Sequence, residues 1–434
     1  MGSATDFPID WCRNQFPALR RTVSGHPAAY FDGPGGSQVP SRVAESIGNY
    51  LLHTNANRGG QYATARESDE LLESAHETLA VFLNAAHPES IIFGANMTTL
   101  TFALSRALSR TWQAGDEIVV TRLDHDGNVT PWVLAAQDAG AVVRYVDFHK
   151  SDCTLDLADL YSKLSDRTRL VAVGCASNLV GTLNPVQEIC KRAHSVGAQV
   201  FLDAVHYAPH SLPDVEEWGC DWLACSAYKF FGPHVGVLYG KRDLLTSLTP
   251  YKLRPVTETL PGRWMTGTQN FEGIAGTKSA VEYLAALGQQ VDNSATSLRD
   301  RLRSAYAAIG TYERNLSAKL INGLLTIPEL KVFGLTSPDR LADRTPTVSF
   351  VHDRFKAIDV ADRLGQEGLF VGHGNFYALQ VTENLGLEPD GVIRVGLMHY
   401  NTSGEIDRLL NALQSLSVSA EIFRGGRRVP AARS

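Results

Sequence analysis

Between about residue 90 and residue 240 of this 434-residue chain, short apolar runs alternate with helical stretches, and no other feature limits the fold as much. Glu117-Ile-Val-Val-Thr, Val142-Val-Arg-Tyr-Val, Arg169-Leu-Val-Ala-Val-Gly, Gln199-Val-Phe-Leu-Asp, Trp222-Leu-Ala-Cys-Ser and Val235-Gly-Val-Leu-Tyr read as strands. Helical stretches such as Thr130–Ala139 and Val186–Ser195 separate most of them. Alternation of this kind predicts an α/β unit built on a mostly parallel sheet. Ligands of such sheets bind beyond the carboxyl ends of the strands. Asp203, Ser226 and Lys229 all fall at those ends.

Further along, 276–323 is helix-prone with few breakers. Thr347-Val-Ser-Phe-Val-His, Leu369-Phe-Val and Val392-Ile-Arg-Val-Gly read as strands, and Ser403–Leu416 reads as a closing helix. The expected division is an N-terminal segment (1–28) joining a smaller unit and a large domain (29–280). A long connecting helix with a small α+β C-terminal domain (281–420) and a frayed basic tail (421–434) complete it. The chain is 44% apolar and 20% charged with a net charge of −6, so neither nucleic acid nor an anionic membrane surface is expected as a partner. No apolar run is long enough to span a bilayer, and the first residues lack a signal-peptide core. The six cysteines form no CxxC pair, which argues against zinc and for a reduced, cytoplasmic protein.

Lys229 lies in Cys225-Ser-Ala-Tyr-Lys-Phe-Phe-Gly-Pro-His, and Asp203 ends an upstream strand. A lysine at one strand end and an aspartate at another are the two protein groups that pyridoxal phosphate chemistry needs. The lysine forms the Schiff base, and the carboxylate keeps the pyridine nitrogen protonated. Gly94-Ala-Asn-Met-Thr-Thr precedes a helix, whose N-terminal N–H groups suit a phosphate, although the same residues serve as an ordinary cap. Ser226 could bind that phosphate too. His206 either hydrogen-bonds the cofactor's phenolic oxygen or is a satisfied core histidine. His125, in a loop after the strand ending at Thr121, could stack on the ring and shuttle protons. Asn178 offers an amide to a phenolate or carboxylate. Arg394 is a charge inside an apolar strand and requires an anion, either a substrate α-carboxylate or one of the chain's own acids.

Asn-Met-Thr-Thr, Asp-His-Asp-Gly-Asn, Ser-Asn-Leu-Val-Gly-Thr, Asp-Ala-Val-His, Ser-Ala-Tyr-Lys-Phe-Phe-Gly-Pro and Arg-Val-Gly-Leu-Met-His-Tyr-Asn-Thr occur in the order seen in class V aminotransferase-fold enzymes. The chain resembles the cysteine desulfurase-like branch of that family from about Tyr30 to Leu416. The resemblance implies a fold-type I pyridoxal phosphate enzyme, with Lys229 as the Schiff-base lysine, Asp203 as the pyridinium partner and His125 on the ring. Thr98, Ser226 and the Met97 backbone would hold the phosphate, His206 and Asn178 would flank the phenolic oxygen, and Arg394 would bind a substrate carboxylate. Thr268 matches a segment that reaches the neighbouring subunit's phosphate, which implies a homodimer. The loops at Asn57-Arg58-Gly59-Gly60 and Asp32-Gly33-Pro34-Gly35-Gly36 would border the substrate, so Arg58 and Gly35 join the candidates.

One departure shapes the functional expectation. The desulfurases that this branch is named for carry a sulfur-accepting cysteine on a small-domain loop. The matching loop here is Gly372-His-Gly-Asn-Phe-Tyr, with Asn375 at or near that place, and no cysteine lies beyond position 225. An amide is no nucleophile for sulfur. Milder departures put Tyr228 before the lysine and a histidine at 206. The expectation is an enzyme acting on a small L-amino acid by β-elimination, cleaving the C–S bond of a cysteine-like substrate, with His373 or Asn375 facing the leaving group. Decarboxylative aldol-type chemistry on aspartate, epimerisation and transamination are the alternatives. A non-catalytic scaffold is the alternative from another class.

Overall fold

The computed structural model describes residues 7–425. Its larger sheet has seven strands: β1 (Ile91–Gly94), β2 (Glu117–Thr121), β3 (Val142–Val146), β4 (Thr168–Gly174), β5 (Gln199–Asp203), β6 (Trp222–Ser226) and β7 (Gly236–Gly240). The spatial order is β1-β7-β6-β5-β4-β2-β3, and β7 alone runs against the others. Every residue of β2, β6 and β7 is buried, as continuous apolar runs covered on both faces require. The edge strand β3 instead alternates exposed and half-buried positions up to the buried Val146. Helices α1 (Ala63–Leu83), α2 (Met97–Leu108), α3 (Thr130–Ala139) and α4 (Val186–His194) belong to this part of the chain. The expected α/β architecture with a mainly parallel sheet is thus present. Asp203 pairs in register with Gly174 on one side and Ala224 on the other, which sets it among the carboxyl ends of β4, β5 and β6.

The region expected as one long helix is two, α5 (Phe271–Val291) and α6 (Leu298–Leu325). Asp292 turns extended at the end of α5, and the Ser297 side chain caps α6 by accepting from the Asp300 N–H. Short polar residues that bond the local backbone account for the break. The two helices pack so closely that a methyl group on Gly288 would strike the Arg301 carbonyl. The first half of α6 (Leu302, Tyr306, Ile309) joins the core around the large sheet. Its second half (Leu316, Leu320, Leu324) joins a second core with Phe350, Val395 and Phe31.

That second core backs a four-stranded antiparallel sheet of order β8-β9-β11-β10, formed by β8 (Leu330–Phe333), β9 (Thr347–His352), β10 (Gly372–Gly374) and β11 (Val392–Gly396). Helix α7 (Ala357–Gln366) and the closing helix α8 (Ser403–Gly425) complete the described chain. Helix α8 runs past the expected end at Leu416. Of the expected basic tail at 421–434, 421–425 continue that helix and 426–434 lie outside the described residues. In the N-terminal segment, Cys12 and Phe16 pack into the larger core rather than the smaller unit, and just beyond it Ala29–Tyr30 pair in parallel with Leu369–Phe370. Among the described residues no helix is long and apolar enough to cross a membrane, and no cluster of side chains is arranged to hold a metal ion.

Candidate active site

The carboxyl ends of β1, β2, β4, β5 and β6 open into a cavity of about 940 Å³, closed on its far side by Arg394 of β11 and by Phe376 and Tyr377. Lys229 stands one turn beyond β6. Its Nζ donates to the Pro34 carbonyl and lies 4.6 Å from the Tyr228 ring centroid. Burial, reinforced by the charge of Arg394, lowers its ammonium to about 7, with Asp32 and Asp203 working in the opposite direction. Asp203 accepts from the Val205 N–H at 2.9 Å, and burial pushes its carboxyl up to about 6. Asp124 lies deeper, accepting from Gly174 N–H and Asn128 Nδ2, each at 2.9 Å. Burial first, and then the nearby Asp203 charge, lift Asp124 to about 8, so it stays a neutral acid near neutral pH.

Helix α2 aims its N-terminus into the same space. Asn96 is extended and caps the helix by accepting from the Thr99 N–H at 2.8 Å. Ser226 Oγ accepts from the Met97 N–H at 2.9 Å, which joins the end of β6 to the first turn of α2, and Thr98 lines the cavity beside them. The free N–H groups and positive dipole end of such a turn attract a phosphate.

His125 also lines the cavity. Its Nδ1 accepts from the Gly127 N–H at 2.9 Å, so in the neutral ring the proton sits on Nε2. Burial, with the charges of Lys229 and Arg394, lowers its imidazolium to about 4. His206 is 4% exposed and pairs through Nε2 with Thr345 Oγ1 at 3.1 Å. Asn178 donates to the Phe376 carbonyl at 2.9 Å, leaving its Oδ1 buried without a protein partner. Arg394, 2% exposed, donates to the Asn178 carbonyl and to Asp32 Oδ1, each at 3.0 Å, and lies 3.6 Å over the Phe376 ring. Its Nε is buried and unpartnered. An acid of the chain therefore holds Arg394, as one of its two sequence readings expects, while its Nε keeps no protein partner.

The structure brings Gly35, Met97, Thr98, His125, Asn178, Asp203, His206, Ser226, Lys229 and Arg394 together around one cavity, and it sets four other candidates apart. Arg58 is ion-paired with Asp69 at 2.8 Å, away from the cavity. Thr268 is exposed and lines a neighbouring cavity of about 670 Å³ that shares Thr99 and Phe102 with the first. His373 faces solvent on β10. Asn375 turns to Glu388, donating at 3.2 Å, while its Oδ1 accepts from the Tyr377 N–H at 3.1 Å. Neither His373 nor Asn375 reaches the cavity wall, because that turn presents Phe376 and Tyr377 instead. Both of these have positive φ, 54° and 59°, and are held there by Asn178 Nδ2 and by the Asp126 N–H, which donates to the Tyr377 carbonyl at 2.7 Å. Sequence reasoning gave no role to Asp124, Phe376 or Tyr377, although all three sit inside motifs it had singled out.

These residues fit pyridoxal phosphate. An amine, a buried carboxylate and a helix N-terminus stand around one space, and Asn178 Oδ1 and Arg394 Nε are buried polar atoms awaiting a ligand. The comparisons agree. The model of the aminotransferase class-V family matches residues 29–409. A cysteine desulfurase of Pectobacterium carotovorum is 31% identical, over 94% of this chain and 98% of that one. An aminotransferase-like protein of Gibberella zeae is 33% identical, over 95% and 99%. Among solved structures, an apo cysteine desulfurase of Thermococcus onnurineus superposes with a TM-score of 0.81 at 25% identity, covering 93% of this chain and 98% of the other. The S-sulfonic acid form of a cysteine desulfurase of Escherichia coli gives 0.81 at 26%, covering 95% and 99%. The chain belongs to the class-V aminotransferase family of pyridoxal phosphate-dependent enzymes.

Proposed function

We propose that the enzyme is a C–S lyase, eliminating a thiol from the β-carbon of a cysteine-like L-amino acid without passing sulfur to a protein thiol. The observation that carries this reading is the placement of the cysteines. All six are buried, and none lines the cavity. Burial raises the thiols of Cys12, Cys153 and Cys190 to between about 11 and 12, the opposite of an activated nucleophile. Where a sulfur-accepting residue is expected, a pinned turn offers two aromatic rings.

The lining of the cavity supports the following assignment of roles. Pyridoxal phosphate, bound through Lys229, supplies the electron sink that acidifies the Cα proton. The first turn of α2 at Met97 and Thr98, with Ser226 bonded to it, would hold its phosphate, Asp203 would pair with its ring nitrogen, and His206 and Asn178 would flank its phenolic oxygen. Arg394 presents Nε to the substrate carboxylate. The Lys229 amine, which burial makes easy to deprotonate, would take the α-proton. His125 would offer its Nε2–H as a hydrogen-bond donor to the departing sulfur, which would take its proton from the ammonium that Lys229 then carries. The balanced reaction converts the thioether amino acid and water to thiol, pyruvate and ammonium. The active unit is a homodimer in which Thr268 serves the neighbouring subunit's phosphate.

The test is a panel of substrates on the reconstituted protein. S-alkyl and S-aryl L-cysteines should release pyruvate and thiol in equal amounts, Lys229→Ala should abolish both, and no persulfide should form on the protein. Loss of CO2 from aspartate with capture of an aldehyde, inversion at Cα, or conversion of the cofactor to its amine form, each without pyruvate, would replace the lyase by the corresponding alternative. A protein that takes up no cofactor and fixes none to Lys229 on borohydride reduction would remove the enzyme reading altogether.

A further inference from the structure

Behind His206, on the side away from the cofactor cavity, lies a second, smaller space of about 50 Å³. Thr345 separates the two. It lines the small cavity but not the large one, whereas His206 lines the large one but not the small. Their side chains meet at 3.1 Å through the partition. The walls of the small cavity are unusually polar for their depth. Glu313 is 2% exposed, Ser317 3%, His210 4% and Arg344 5%. His210 Nδ1 and Glu313 Oε2 pair at 2.9 Å, yet His210 Nε2, Glu313 Oε1 and Ser317 Oγ have no protein partner. Three orphaned polar atoms around a space of that size meet the requirement for ordered water, which needs two to four polar partners and roughly 10–15 Å³. Two arginines on the wall, Arg314 and Arg344, disfavour a cation there. The exposed residues Arg314 and Ala342 stand at its mouth, so the space communicates with solvent.

We propose that this space is a water-filled rear inlet through which Thr345, with the His210–Glu313 pair behind it, governs which nitrogen of His206 carries the ring proton. The Thr345 hydroxyl has one proton and two nearby acceptors. Its bond to the Gly181 carbonyl at 3.3 Å makes it an acceptor toward His206, which then holds its proton on Nε2 and turns a lone pair on Nδ1 to the large cavity. Releasing Gly181 and donating to Nε2 reverses this and leaves an Nδ1–H facing the cofactor. Water beside Thr345 lets the proton change places without opening the substrate side. Titratable and charged groups from several elements face this pair of histidines. His206 and His210 themselves lie edge to face at 5.5 Å after β5, and Glu313 comes from α6 to pair with His210. Arg344 donates to the Thr345 carbonyl at 3.3 Å, and Lys229 and Arg394 lie across the large cavity. Thr345, His210 and Glu313 are thus positioning residues for His206. The inference rests on the proposed place of His206 beside the cofactor's phenolic oxygen.

The test follows the visible absorption band of the pyridoxal phosphate-loaded enzyme through a pH titration. Thr345→Val keeps the shape and removes the hydroxyl, and it should move the midpoint by about one pH unit, a tenfold change in proton affinity. Thr345→Ser should restore it, which separates loss of the hydroxyl from loss of packing. Glu313→Gln should move it in part. In the cofactor-free protein, nitrogen NMR of labelled histidine should show the tautomer of His206 changed in Thr345→Val. His206→Gln is the control for the underlying placement. A midpoint moved by His206→Gln but not by Thr345→Val or Glu313→Gln overturns the inlet and leaves the placement standing. A midpoint indifferent to all three overturns both.

Discussion

At the scale of single residues, the site works by putting ionisable groups where their ordinary charge is costly. Lys229 shows this best. Lowered from its usual 10.5 to about 7, it is a base near neutral pH in the folded protein and a cation in the unfolded chain. Between pH 7 and 10.5 the unfolded chain of the cofactor-free protein binds more protons at this residue than the folded one. Stability therefore rises with pH across that window, and the cost of burying the ammonium is fully present below about pH 7. Lys229→Met removes that cost. The cofactor-free variant should melt above cofactor-free wild type at pH 7, by an amount worth a few kcal/mol, since each pH unit between the folded and unfolded values carries ~1.4 kcal/mol. The difference should shrink as the pH approaches 10.5, and calorimetry at both ends of the range checks it. A gap that is constant with pH would assign the change to methionine packing instead. Lys229 and Asp203 were legible from sequence because their chemical types are rare partners at strand ends. Asp124 was not, since nothing local distinguishes an acid that burial keeps neutral from one that caps a helix. The hold of Asp32 on Arg394 was equally hidden, being a contact between residues at opposite ends of the chain.

Between elements, the cofactor cradle depends on how closely strand and helix approach. Gly236 opens β7, opposite Ser226 in β6 and Gly94 in β1. A methyl group there would stand 2.7 Å from the Asn96 Cα and carbonyl oxygen, the residue that caps α2. Gly236→Ala should therefore push the helix N-terminus outward while leaving the sheet paired. The expected outcome is weakening of pyridoxal phosphate binding by about tenfold or more, the ~1.4 kcal/mol equivalent of a displaced charge-assisted contact. Titrating cofactor into the apoprotein measures it, and unchanged far-UV dichroism shows that the sheet survives. The strands of the large sheet were readable because complete burial leaves long apolar runs. The three-residue β10 and the turn after it were not. Their conformation comes from Asn178, Asp126 and Glu388, which bind that turn from other parts of the chain. The break between α5 and α6 lay in plain view at Asp292–Ser297, but polar residues within a helix-prone stretch read locally as a solvated face.

For the whole molecule, the question is whether one chain makes a complete site. The cavity in the single chain holds the lysine, the aspartate and the helix N-terminus, but Thr268 is exposed and lines the adjoining space with Tyr251, itself 65% exposed. Leu253 (64% exposed) is close by in sequence, and Leu52 (77% exposed) also stands out from the surface. Large apolar side chains left in solvent are what a two-fold interface covers. A homodimer that completes each site with its neighbour's Thr268 makes a prediction that a self-contained subunit does not. Lys229→Ala and Thr268→Glu should each be inactive as pure dimers, the second because a carboxylate meets the phosphate. Mixed and re-associated, about half of the dimers would pair the two variants, and one of their two sites would join an intact Lys229 cavity to an intact Thr268. Activity should then return to about a quarter of the wild-type value per site. If Thr268 serves its own subunit, the paired dimers contain no intact site and mixing restores nothing. Native mass spectrometry of the same samples resolves the mixed dimer from the two homodimers, so a null result from failed exchange is told apart from a site built within one chain.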